Sequence, residues 1–204
     1  MKAVFRIVNA LLAAAVFPVT LFLDTFFIQI SPSIGNKGVE ESINLKRIID
    51  IFSGNDRLST FLLKDGSFTW PEAFAPVTGR LIAAIAALAV ILVIAIFIIV
   101  WSCCSKKGLP VIIAAVLGII SCIVMIACFN SAAAEFTSGA ISLASAFGTG
   151  LLTTLIGGFF GVDTLILGGF QNGLIIVFIA IIVWAGAFML VDLGADDAEK
   201  EEKK

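Results

Sequence analysis

Three carboxylates, Asp24, Glu135 and Asp163, stand beside long apolar runs, where an ionised side chain is expensive and therefore a functional suspect. Gathered at the outer mouth of a helical bundle, they would attract cations as the acidic rings of channels do. A second set has hydroxyls and glycines at helical spacing: Ser138, Ser142, Ser145, Thr149, Gly150, Thr153, Gly157 and Gly161. As a helix, 135–161 has one small, weakly polar side and one bulky apolar side carrying Leu143, Phe147, Leu151, Leu155 and Phe159. Such a face either lets another backbone approach closely or lines a wet path with hydroxyls. Packing is the first reading and a pore lining the second, because the hydroxyls are few and uncharged.

Other chemistry has little to build on. The chain has no histidine and no tyrosine, which removes the commonest general base and the commonest metal ligand. Cys103 and Cys104 are adjacent, Cys122 and Cys128 lie within an apolar run, and none falls in the polar segment 31–78. That pattern is neither a metal site nor a secreted disulfide framework. No phosphate-cradling glycine loop and no Ser/His/Asp set is present. The expectation is a protein that is not an enzyme and uses no cofactor or catalytic metal. A net charge of −2 with no basic stripe argues against nucleic acid.

The elements that must position these residues belong to a membrane. Between Lys107 and Asp192 lie 84 residues of which only Glu135 and Asp163 are charged. The chain is 60% hydrophobic and 14% charged, against roughly 25% charged in a soluble domain. A bilayer span needs about 20 apolar residues. Four segments supply this: 1–30, read as a retained signal anchor with Pro18 as a kink, then 79–102, 110–130 and 173–192. The segment 103–109 is a short basic link, and 193–204 reads as a charged, disordered tail. Basic residues in short loops face the cytoplasm. Lys2 and Arg6, Lys106 and Lys107, and Lys200, Lys203 and Lys204 then place both termini inside, in the plasma membrane.

The fold class expected is thus an all-α polytopic membrane protein with four transmembrane helices. To these are added a re-entrant or surface-lying Gly/Ser/Thr-rich helix within 131–172 and a small α+β extramembrane segment, 31–78. Five spans is the alternative, since 27 residues suffice to cross. Within 31–78, Val39–Phe52 reads as an amphipathic helix stopped by Gly54, and Asp65-Gly66 as the turn of a hairpin. The order of spans and loops resembles the layout of claudin-type tetraspan proteins. That family's outer loop carries a cysteine pair, which 31–78 lacks, so no functional residue is carried over. The function expected is an assembly or interaction role, with membrane lipid around the bundle and a second copy or a membrane partner docking on 31–78. The alternative is an oligomeric ion channel or small transporter with a Ser/Thr-lined path.

Overall fold

In the computed structural model, which describes residues 2–32, 39–55, 63–64, 67–68, 75–105, 107–138 and 160–202, Pro18 decides where the first helix bends. Proline has no N–H to give the carbonyl of Ala14. Helix α1, Lys2–Ala14, stops there, and α2, Val16–Phe22, begins after Ala15. The Ala15 N–H is shared between the carbonyls of Leu11 and Leu12, at 3.0 and 3.1 Å, and Val19 resumes the ladder on Ala15 at 3.1 Å. The interruption is a kink within one apolar stretch, Ala3–Phe22, which is long enough to cross a membrane.

A span reaching residue 30 is therefore corrected. Asp24–Pro32 is a strand, β1. Its sequence DTFFIQISP is rich in aromatic and β-branched residues, and an apolar run of that kind fits a strand as well as a helix until its partners are known. The partners are β2, Val39–Asn44, and β5, Phe160–Leu167, giving a three-stranded antiparallel sheet of order β2-β1-β5. The helix expected over Val39–Phe52 is likewise shorter. Its first part is β2, and α3 runs only over Leu45–Phe52. Asn44 explains the boundary: its Oδ1 accepts the Arg47 N–H at 2.9 Å, the geometry of an N-cap. Gly54, at φ 78°, ends α3, with the Asn55 N–H bonding the Asp50 carbonyl at 2.8 Å. The short strands β3, Leu63–Lys64, and β4, Ser67–Phe68, pair antiparallel across residues 65 and 66.

Three long helices complete the chain: α4, Ala75–Cys104, α5, Leu109–Thr137, and α6, Phe170–Glu202. Among the described residues, four helices are long and apolar enough to cross a membrane: Ala3–Phe22, Ala75–Cys104, Leu109–Glu135 and Phe170–Leu190. The tail expected to be disordered is helical as far as Glu202. Ala, Glu and Lys are good helix formers, and adding turns to an existing helix avoids the nucleation cost. The helix expected within 131–172 is corrected where it is described: 160–167 is strand β5. Residues 139–159 lie outside the described residues.

Each span buries a narrow stripe. In α1 and α2 it is Phe5, Asn9, Ala13, Val16 and Thr20. In α4 Val77, Ala84, Ile91 and Ile98 recur every seven residues, and α5 repeats the pattern with Val111, Gly118, Met125 and Ala132. Seven-residue recurrence is the signature of helices packed at a shallow crossing angle. Large side chains such as Ile85, Val93, Ile123, Ile176 and Val183 stay exposed, as lipid-facing residues do.

The chain divides into two compact units. One comprises Met1–Val19, Ala87–Ile123 and Asn172–Lys204, the other Thr20–Ala86 and Val124–Gln171. In the first, helical segments meet in chain order. Arg6 of α1 bonds Ser102 of α4, Trp101 Nε1 of α4 donates to the Lys107 carbonyl at 3.2 Å, Gly118 of α5 receives the ring of Phe178 of α6, and Phe188 of α6 stacks on Phe5 of α1 with centroids 4.0 Å apart. The second holds the sheet, the hairpin, α3 and the remaining helix ends.

Candidate functional sites

Of the three carboxylates, Glu135 has a defined partner. It lies in the last turn of α5, where the helix dipole disfavours an acid. Arg80, near the start of α4, offsets that charge: its Nη1 donates to Glu135 Oε1 and to the Ser131 carbonyl, both at 3.0 Å. The side chains are 42% and 36% exposed, so the pair sits where water or headgroups reach it. The signal for the pair was that opposite charges flank the two spans joined by the short link.

Asp24 opens β1, opposite Asn44, and is exposed. Asp163 is the extra residue of a bulge in β5: Thr164 faces Gln29 and Val162 faces Ile30, leaving Asp163 opposite no β1 residue. The register separates the two acids by more than five residues along β1, about 18 Å at the usual strand rise. They are not brought together. Among the described residues no group of three or more His, Cys, Asp or Glu could hold a metal ion.

Of the hydroxyl and glycine candidates, Ser142, Ser145, Thr149, Gly150, Thr153 and Gly157 lie outside the described residues. Ser138 forms the turn after α5, its Oγ donating to the Glu135 carbonyl at 3.1 Å, and its neighbour Thr137 likewise bonds back to Ala133 and Ala134. Gly161 stands in β5 opposite Ser31 rather than on a helix.

The first unit holds polar features that sequence reasoning passed over. Asn9 is fully buried, and neither its Nδ2 nor its Oδ1 has a hydrogen-bond partner among the described residues. It belongs to the same stripe as Phe5, Ala13 and Val16, at four-residue spacing from Phe5 and Ala13, and nothing but that spacing marked it as interior. Arg6 lies on the next face of α1. Its Nε donates to the Ser102 carbonyl at 2.8 Å, in the last turn of α4, where carbonyls lack helical donors and carry the negative end of the dipole.

Two grooves flank α1. One, about 470 Å³, is apolar apart from the Trp184 indole N–H and runs between Leu12 and the Ile176, Ile179, Val183 and Trp184 face of α6. The other, about 580 Å³, lies between α1 and α4 and has Arg6, Ser102 and Cys103 at one end. In comparisons with protein-family models, curated proteins and solved structures, nothing matches this chain.

Proposed function

We propose that the chain is a four-span membrane bundle with a non-enzymatic assembly role, its partner surface lying within 31–78. The observation that carries this reading is the position of β2. Among the described residues it pairs with β1 on one side only, so its outer edge presents unpaired backbone groups of the kind a second strand can use. Exposed Ile49 on α3, the helix that directly follows β2, adds an apolar side chain to the same segment.

Basic residues in the short segments, Lys2 and Arg6, Lys106 and Lys107, and Lys200, Lys203 and Lys204, support an even number of spans with both termini on the cytoplasmic side. The lack of histidine, and of any recognisable catalytic nucleophile–base set such as Ser/His/Asp, supports a role without catalysis.

The test is site-specific photo-crosslinking in native membranes, with the crosslinker at Ser42 of β2 and, as control, at lipid-facing Val93 of α4. The reading expects a discrete adduct, a doubled mass for a second copy or a new mass for a partner, from Ser42 and none from Val93. No adduct from Ser42 would overturn it.

A further inference from the structure

We infer that the groove between α1 and α4 is a binding site for one anionic phospholipid, with the headgroup phosphate at Arg6 and an acyl chain lying along the helix. The site rests on three features of the first unit. Its wall is apolar, formed by Ile7, Ala10, Leu11 and Ala14 of α1 and Ile99 of α4, and Ala10 and Ala14 leave room that larger side chains would fill. From Arg6 to Ala14 this wall runs about 12 Å along the helix, enough to hold part of a lipid tail inside the hydrocarbon layer. Its polar end is cationic: Arg6 lines it beside Ser102 and Cys103, and no acidic residue lines the groove.

The Arg6 guanidinium is held by design of the fold rather than free to sweep the surface. The Nε–H to the Ser102 carbonyl fixes its plane against the end of α4, the preorganised arrangement that makes arginine a good phosphate binder. The other groove beside α1 makes the contrast. It has comparable volume and no charged or hydrogen-bonding lining residue except the Trp184 indole, so nothing there would distinguish one headgroup from another. Basic pockets between spans on the cytoplasmic side are where anionic headgroups are recognised. The inference rests on the membrane reading and adds a ligand to it.

The experiment uses the full-length chain purified in mild detergent and examined by native mass spectrometry. Phosphatidylglycerol, phosphatidylcholine and inorganic phosphate are titrated separately. One phosphatidylglycerol is expected to be retained in preference to phosphatidylcholine and not displaced by millimolar phosphate. Arg6→Gln should weaken retention about fivefold, the worth of one basic residue near an anionic surface, and Arg6→Lys should restore most of it. Ala10→Phe, which fills the groove and leaves Arg6 in place, should abolish the preference, and it carries the test if Arg6→Gln fails to fold. Equal retention of the two lipids, full displacement by phosphate, or an unchanged preference in Ala10→Phe would each overturn the lipid site. Release of the chain from membranes by alkaline carbonate would instead overturn the membrane reading beneath it.

Discussion

The two units solve the problem of polar backbone and side chains in different ways. In the unit of helix segments, the helices' own backbone ladders are internal, and segments are joined by side chains: by fit, Phe178 on Gly118, Phe188 on Phe5 and Met189 on Gly108, and by the Arg6–Ser102 hydrogen bond. In the unit containing the sheet, distant parts of the chain are joined by the backbone itself, β1 to β2 and β5, and by the Arg80–Glu135 pair. A glycine therefore does different work in each. At Gly118 a Cβ would stand 2.6 Å from atoms of a phenyl ring, and at Gly168 it would overlap the backbone carbonyl of Asp24. A ring can tilt; a carbonyl fixed in a strand cannot. Buried polarity differs too. Asn9 is sealed in without a described partner, whereas Glu135 keeps both a cation and access to solvent.

The sharpest way to break this contrast is Gly168→Ala. It should destabilise the protein by at least about 3 kcal/mol, the upper range for overpacking, because the obstructing atom is main chain. Thermal unfolding in detergent followed by tryptophan fluorescence would show it, and an effect below that of Gly118→Ala would erase the distinction. Gly118→Ala comes next, at about 1–2 kcal/mol, absorbed by movement of Phe178. The double variant Gly118→Ala/Phe178→Leu should recover part of that loss. Asn9→Leu runs the other way, raising stability by about 1–2 kcal/mol as an unpartnered amide gives way to a side chain of similar size. A loss on this substitution would mean that the amide is satisfied and the polarity of the stripe is used. Smallest is Glu135→Gln, below about 1 kcal/mol, since a half-exposed ion pair contributes little. Its effect should also shrink when salt is raised.

The spans were legible because hydrocarbon thickness imposes a length that a charge-free run either meets or does not; Leu81–Trp101 and Gly173–Val191 meet it on inspection. Strands β1 and β5 were not. TFFIQI after Asp24 and VDTLIL after Gly161 continue the apolar character of their neighbours, and only the pairing of Phe26 with Leu167 or Gln29 with Thr164 makes them strands. That information is non-local, spread over more than a hundred intervening residues. Gly54 could be read as a stop because a positive φ leaves few alternatives to glycine. Asn44 carries an equally local cap signal, which the apolar spacing from Val39 onward masks. For the candidate sites, charge was visible one residue at a time, while the Arg80–Glu135 and Arg6–Ser102 contacts depend on which helix ends the fold brings together.

The join between β1 and β5 has a mechanical consequence. The strand β1 leaves α2 at Asp24, and β5 enters α6 after Gly168, whose N–H bonds the Thr25 carbonyl at 2.9 Å. Both helices are thus tethered to the same end of an antiparallel pair. A lateral pull separating them would not load the ladder in shear, with all its bonds resisting at once. It would peel the pair open from Phe26 and Leu167 inward, one rung after another, so the sheet would yield gradually as a zip does rather than snap as a strut.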